Sequence, residues 1–328
     1  MARPVAGLRF ALAAVGAAAA FALLTGCGGG VSPVAPQPQN LADNAPTTDF
    51  PPGTVFLTSS QIAEKFTYAN LRYHITPVTV PGAIHRLSVV YPGDLTNGGG
   101  AVLTATTEND IFLNTTSAAV GTPTTFQTNL DKSTFISVLN QYNGVTSAGK
   151  FPVGTSFSST VASYTNLIDQ DQLFAIIHAA AKTGGTGYGH EYNVFMAKGL
   201  DTCFDFGPCY APDLGPPTFQ FCGYHASIDF TDLSPTHVIF SIIPYQDVPG
   251  CGDNGLTGDS VTNSTATTLS HEFFESSSDA DPNTGWFSDD LGMEMADICA
   301  NFRATETLNA VKYVIQPEYS NSLHGCFF

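Results

Sequence analysis

Residues 269–299, LSHEFFESSSDADPNTGWFSDDLGMEMADIC, constrain this chain more than any other stretch. They place His271, Glu272, Glu275, Glu294 and Asp297 close together in a protein only 12% of whose residues are charged. The run 264–277 reads as a helix. Residues four apart are neighbours on a helix, so His271 and Glu275 share one face, while Glu272 points about 100° away around the axis. Thr262, Asn263 or Ser264 is expected to cap this helix, with Leu269 and Phe273 packing inward. The chain has 8 His, and a shuffled version would hold on the order of 0.005 His-Glu-x-x-Glu motifs. The competing reading is a solvated helix face, and the scarcity of charge weighs against it.

The first 26 residues read as an export leader. Arg3 and Arg9 precede ALAAVGAAAAFALL, an apolar run too short to span a bilayer comfortably. Leu24-Thr25-Gly26-Cys27 then resembles the lipobox of bacterial lipoproteins. That resemblance implies lipidation of Cys27, membrane attachment through it and an extracytoplasmic location, at the outer membrane where a cell has one. Residues 27–52, rich in Gly, Pro, Ser, Asn and Gln, read as a flexible tether. The remainder, 53–328, suits one large domain. Removing Arg3 and Arg9 with the leader takes the net charge from −17 to −19. Such a field repels phosphate backbones, which argues against nucleic-acid partners and suits metal ions.

Seven cysteines minus Cys27 leave Cys203, Cys209, Cys222, Cys251, Cys299 and Cys326. An even number in an exported chain predicts three disulfides. The expected pairs are Cys299–Cys326, closing the C-terminal segment onto the motif region, Cys222–Cys251, bracing the middle, and Cys203–Cys209, closing a short loop. Elsewhere, 71–92 reads as strands and turns, and 133–144 places Phe135, Leu139 and Tyr142 at helical spacing. Residues 168–185 form a clearer helix, capped by Asp169 or Asp171, with Leu173, Ile176, Ile177 and Ala180 as its apolar stripe. Its His178 reads as a packing or surface residue. The short apolar runs 192–198 and 236–245 read as buried strands. The expected class is α/β or α+β, one zincin-like domain with irregular, disulfide-braced loops.

The motif follows the logic of the His-Glu-x-x-His metallopeptidase helix, with a carboxylate in place of the second imidazole. Catalytic zinc takes three protein ligands and keeps one position open. His271 and Glu275 supply two. By analogy with gluzincin peptidases, Glu294 is the third and Asp297 its supporting partner, the reverse assignment being nearly as good. Glu272 would be the general base, taking a proton from an attacking water. The anionic donor set also admits Ca²⁺ or Mn²⁺ beside Zn²⁺. A weaker reading is a structural Ca²⁺ site at Asp279, Asp281, Asn283 and Asp289, against the more ordinary one of a solvated acidic loop.

The order Tyr73-His74, Cys222-Gly223-Tyr224-His225, Ser270-His271-Glu272-x-x-Glu275, Asp281-Pro282, Trp286, Glu294-x-x-Asp297-x-Cys299, Ser320-Asn321 and Cys326 resembles the plant Exordium/phosphate-induced extracellular proteins and their microbial relatives. The resemblance spans roughly 70–328, with its specific motifs in 222–326. Ile75-Thr76 stands where those proteins have Gly-Gly, and a longer insertion lies around 203–221. The resemblance implies an exported protein with a zincin-like site pattern and a link to the cell wall. It adds His225 as a further site candidate, as ligand or transition-state stabiliser, with a core or loop histidine beside a disulfide as the alternative. The expected function is a surface-anchored, metal-dependent hydrolase of metallopeptidase type acting on a peptide or wall substrate. The alternative is a non-catalytic binding or wall-associated protein. Thiol counting under denaturing, non-reducing conditions is expected to find fewer than two free thiols per chain; two or more would sink the three-bridge scheme.

Overall fold

The structure, a computed structural model, describes residues 49–79, 93–161, 166–215, 218–252 and 260–328. The leader, Cys27, most of the 27–52 tether, and residues 80–92 of the stretch read as strands and turns lie outside the described residues. Those described fall within one compact unit, Asn40–Phe328. Among them no helix is long and apolar enough to cross a membrane.

A seven-stranded mixed sheet organises the fold. Its spatial order is Val55–Phe56, Val153–Ser159, Thr107–Leu113, His190–Met196, His237–Ile243, Phe221–Phe230 and Tyr68–Pro77. The first five run parallel to one another. Phe221–Phe230 then runs antiparallel to both strands beside it, leaving Tyr68–Pro77 as the outer edge. The class is thus mixed α/β. Parallel strands must be covered on both faces, and here two helices do it. Gln170–Gly184 packs on one face against Val194, Met196, Val238, Phe240 and Ile242. Ser260–Ser278 lies with the other face, where Phe112, Phe195, Ile239 and Ile243 meet Leu269, Phe273 and Phe274.

Local chemistry explains these elements. Asp169 caps Gln170–Gly184 through a capping box with Gln172, its Oδ1 accepting the Gln172 amide at 2.8 Å. Leu173, Ile176, Ile177 and Ala180 are all buried. His178 packs rather than ligates: its ring stacks on Phe66 at 5.0 Å, and Nε2 lies 2.9 Å from Asp232 Oδ2. The 133–144 run winds more tightly than an α-helix. Thr134–Leu139 is 3₁₀ and Asn140–Asn143 is one α-turn, ended by Gly144 at φ 78°. The motif helix begins at Ser260, earlier than the caps expected from sequence. Asn263 serves a different purpose, its Oδ1 accepting the Val314 amide at 2.8 Å and fixing the helix to the hairpin Ala304–Leu308/Val311–Ile315. All three cysteine pairs form as expected, Cys203–Cys209, Cys222–Cys251 and Cys299–Cys326.

The sheet's two faces differ sharply in polarity. One register row sets His74 beside His225, His225 beside Ser241, Ser241 beside Asn193, Asn193 beside Asp110 and Asp110 beside Ser156. Glu108 and Glu191 pair in the same sheet two residues earlier. Because side chains alternate between faces, this polar belt falls on the side of the motif helix: Ser276 Oγ donates to Glu191 Oε2 at 2.9 Å.

Asp110 is fully buried, and its Oδ2 accepts a 2.6 Å hydrogen bond from Thr124. Burial pushes its carboxyl from 3.8 up to about 7. The folded state thus keeps a proton that the unfolded chain loses between those values, so this group's contribution to stability falls as pH rises through that window. Asp110→Asn cannot ionise. Its melting temperature relative to the wild type is expected to rise by roughly 5 °C between pH 4 and pH 8. A difference that does not vary with pH would show that Asp110 titrates normally.

Candidate metal centre

The motif helix lowers three side chains onto the polar belt, His271, Glu272 and Glu275, each no more than 1% exposed. It packs closely on the sheet at Gly223. A Cβ there would lie 2.6 Å from Glu272 Oε1 and 2.9 Å from Thr268 Cγ2, so the strand tolerates no side chain opposite Glu272. Thr76, on the edge strand, donates its hydroxyl to the same Oε1.

A third segment completes the cluster. Asp297 opens a short 3₁₀ turn, Asp297–Cys299, which the Cys299–Cys326 bridge ties to the C-terminal strand. The Asp297 amide donates to Glu275 Oε1 at 3.2 Å, and the Glu294 amide donates to Asp297 Oδ2 at 3.2 Å. These bonds align the turn with the helix before any ion is considered. Two strands contribute histidines, His225 from Phe221–Phe230 and His74 from the edge strand, their ring centroids 6.0 Å apart.

Six of the residues singled out from sequence therefore meet: His225, His271, Glu272, Glu275, Glu294 and Asp297. Their grouping differs from the expected set of His271, Glu275 and Glu294. Ligand atoms of His225, Glu275 and Glu294 all lie within 4.8 Å of one another, as do those of His74, Glu275 and Asp297. His271 joins through Glu275 Oε1 at 3.1 Å and Asp297 Oδ1 at 3.6 Å. Its Nδ1 lies 3.2 Å from Gln316 Oε1, and Gln316 Nε2 donates to the Ala296 carbonyl. The amide orientation fixes Nδ1 as the protonated nitrogen of neutral His271 and leaves Nε2 turned to the carboxylates.

Many of these atoms lack hydrogen-bond partners. Both ring nitrogens of His225, His271 Nε2, Glu272 Oε2, Glu275 Oε2, both Glu294 oxygens and Asp297 Oδ1 are buried and unbonded. His225 Nδ1 stands 3.5 Å from Glu275 Oε2 and 3.6 Å from Glu272 Oε2, and its Nε2 stands 3.6 Å from Glu294 Oε2. Such separations are too long for hydrogen bonds, and one ring nitrogen of His225, with one oxygen each from Glu275 and Glu294, lies in a group whose atoms are all within 4.8 Å of one another, close enough to share one cation. Buried polar atoms are normally satisfied. The donor set and its orphaned atoms therefore fit a divalent metal ion.

Electrostatics point the same way. Burial pulls His74 and His271 down, but the neighbouring carboxylates, Glu294 for His74 and Glu275 for His271, overcome it and push both up to about 10. His225 is likewise driven well above its usual range by Glu294, Glu272 and Glu275, against burial. Burial raises Glu294 well above the ordinary carboxylate range. Glu275 goes the other way: His271, His225 and His74 outweigh its burial and hold it low. In the metal-free cluster, protons on the imidazoles compensate the carboxylates.

Among the described residues, the carboxylates of the acidic loop that follows the helix do not gather into a group that could hold a cation. Asp279 is fully buried, and its carboxylate accepts the amides of Asn283, Thr284 and Gly285, from 2.6 to 3.2 Å. Asp281 turns away to His237 Nε2 at 3.2 Å and Tyr188 Oη at 2.6 Å. Loop amides thus occupy oxygens that Ca²⁺ would need, and the solvated-loop reading fails for Asp279 as well. Trp286 packs on Tyr142 and donates its indole N–H to the Tyr142 carbonyl at 2.7 Å. Sequence reading gave no role to His74, Thr76, Gln316 or Glu318. His74 had a signal, Tyr73-His74 at the head of the quoted motif order. Glu318, fully buried with both oxygens unbonded, had none. An open groove of about 390 Å³, lined by Arg72, Tyr73, His74 and Asn283, reaches the cluster's solvent side. Compared with known protein families, curated proteins and solved structures, the chain matches none.

Gly223→Ala is expected to push Glu272 off its position and destabilise the protein by roughly 1–3 kcal/mol, since neither the helix nor the strand can retreat freely. Thermal denaturation checks this, and an unchanged melting temperature would mean that the close approach is absent.

Proposed function

We propose that this protein is a surface-anchored, metal-dependent hydrolase of metallopeptidase type, built on a zincin-like domain and attached to a membrane through Cys27. One observation carries the reading: an unbonded carboxylate oxygen, Glu272 Oε2, stands beside a buried His225–Glu275–Glu294 triad whose ligand atoms lie within 4.8 Å of one another. That triad would hold the cation, and Zn²⁺, Mn²⁺ or Ca²⁺ fits its mixed imidazole–carboxylate donors. His271 and Asp297 position Glu275. When bound, the ion supplies Lewis acidity toward a carbonyl and an attacking water.

The chain's own part is proton transfer and placement. Glu272 is held by the Thr76 hydroxyl through Oε1, which leaves Oε2 as the basic oxygen. It takes a proton from water and passes it to the leaving amine. Burial raises its pKa, which suits a group that must both accept and release that proton. A peptide or wall-derived substrate would enter along the groove beside His74. The net charge of −17 speaks against nucleic acid.

The complete burial of His225, Glu275 and Glu294 favours a second reading, in which the ion only holds the fold of a non-catalytic surface protein. The two separate on Glu272→Gln. The hydrolase reading expects bound metal to be retained, by elemental analysis, and peptide hydrolysis to fall about 10²–10⁴-fold. Glu275→Ala should lose the metal. A wild-type protein that binds metal but hydrolyses no peptide would favour the binder, and one without metal would end both.

A further inference from the structure

We propose that the centre holds two divalent cations, bridged by Glu275 and Glu294, with His225 at one subsite and His74 at the other. The inference rests on the metal-site reading above and extends it from one ion to a pair. Glu275 belongs to both groups of ligand atoms, His225–Glu275–Glu294 and His74–Glu275–Asp297, and Glu294 divides its oxygens between the two imidazoles. Glu294 sends Oε2 toward His225 Nε2 at 3.6 Å and Oε1 toward His74 Nδ1 at 3.4 Å. Glu275 sends Oε2 toward His225 Nδ1 at 3.5 Å and Oε1 toward His271 Nε2 at 3.1 Å. Asp297 completes the second group with His74 and Glu275, their ligand atoms lying within 4.8 Å of one another; its Oδ2 is hydrogen-bonded to His74 Nε2 at 2.6 Å, which orients the ring and leaves Nδ1 and Oδ1 for the ion.

Spacing and charge agree. Paired catalytic metals sit about 3.5–4 Å apart, and the two rings that would flank them are 6.0 Å apart, centroid to centroid. Glu272, Glu275, Glu294 and Asp297 are each at most 8% exposed. With neutral imidazoles, one divalent ion leaves two of these four charges uncompensated, whereas two ions leave none. The second subsite is also the accessible one. His74 lines the open groove, so the ion there would be the one to meet a substrate.

Chelator-stripped protein titrated with Mn²⁺ alone tests the pair. Calorimetry is expected to give two ions per chain, and electron paramagnetic resonance a spin-coupled signal in place of the spectrum of isolated Mn²⁺. His74→Ala should lower the count from two to one and abolish the coupling, and Asp297→Asn should weaken the same site. Circular dichroism confirms that each variant folds, and the wild-type spectrum decides the matter even if neither does. One ion per chain, or two without coupling, overturns the bridged pair while leaving the single-ion hydrolase standing. No Mn²⁺ uptake overturns both.

Discussion

Everything in this molecule is arranged around the cost of burying negative charge. Four carboxylates from two segments sit in a region almost sealed from water, and an isolated buried charge would cost several kcal/mol or more. The fold answers with three imidazoles brought from three directions: the motif helix, the inner antiparallel strand and the edge strand. Smaller elements serve the same end. The Asp297 turn donates a backbone amide to Glu275, Thr76 holds Glu272, and Gln316 fixes the tautomer of His271. None of these groups would be stable where it is without the others, which is why the site and the fold cannot be discussed apart.

The sheet shows how such a centre is accommodated. Its Gln170–Gly184 face is a conventional apolar core of Val, Ile, Phe and Tyr. The opposite face is split. Toward the hairpin and C-terminal strands it is hydrophobic, but across its middle runs the belt from His74 to Asp110, with Glu108 and Glu191 alongside. Glu191 is bonded by Ser241 and Ser276, and burial raises it to about 7. Among the small hydroxyl residues of the motif helix, Ser276 donates to that belt without adding bulk.

Much of this could be read in advance. Hydrophobic runs gave the strands 192–198 and 236–245, capping and periodicity gave the Gln170–Gly184 helix, and cysteine parity with position gave the three bridges. The His271–Glu275 pair was legible because helical spacing alone puts the two together. What could not be read was partnership between distant strands. His225 and His74 are 151 positions apart, and only the antiparallel register of the edge makes them neighbours; spacing rules carry no information about that. The same blindness explains why the expected ligand set took its imidazole from the motif helix, at His271, where the grouped triad has His225, and why it missed the Asp279 loop, whose carboxylate is taken by amides that no composition reveals.

The belt across the sheet has one further consequence. Side chains in a strand alternate between faces, so a slip of one residue turns every one of them over. A slip in Phe221–Phe230 would send His225 into the apolar layer and bring Tyr224 or Ala226 beneath Glu275 instead. No imidazole would then face the helix from that strand, and the carboxylates would be left bare. The cluster therefore acts as a gauge of strand alignment, because only the correctly threaded chain can close over its own charges.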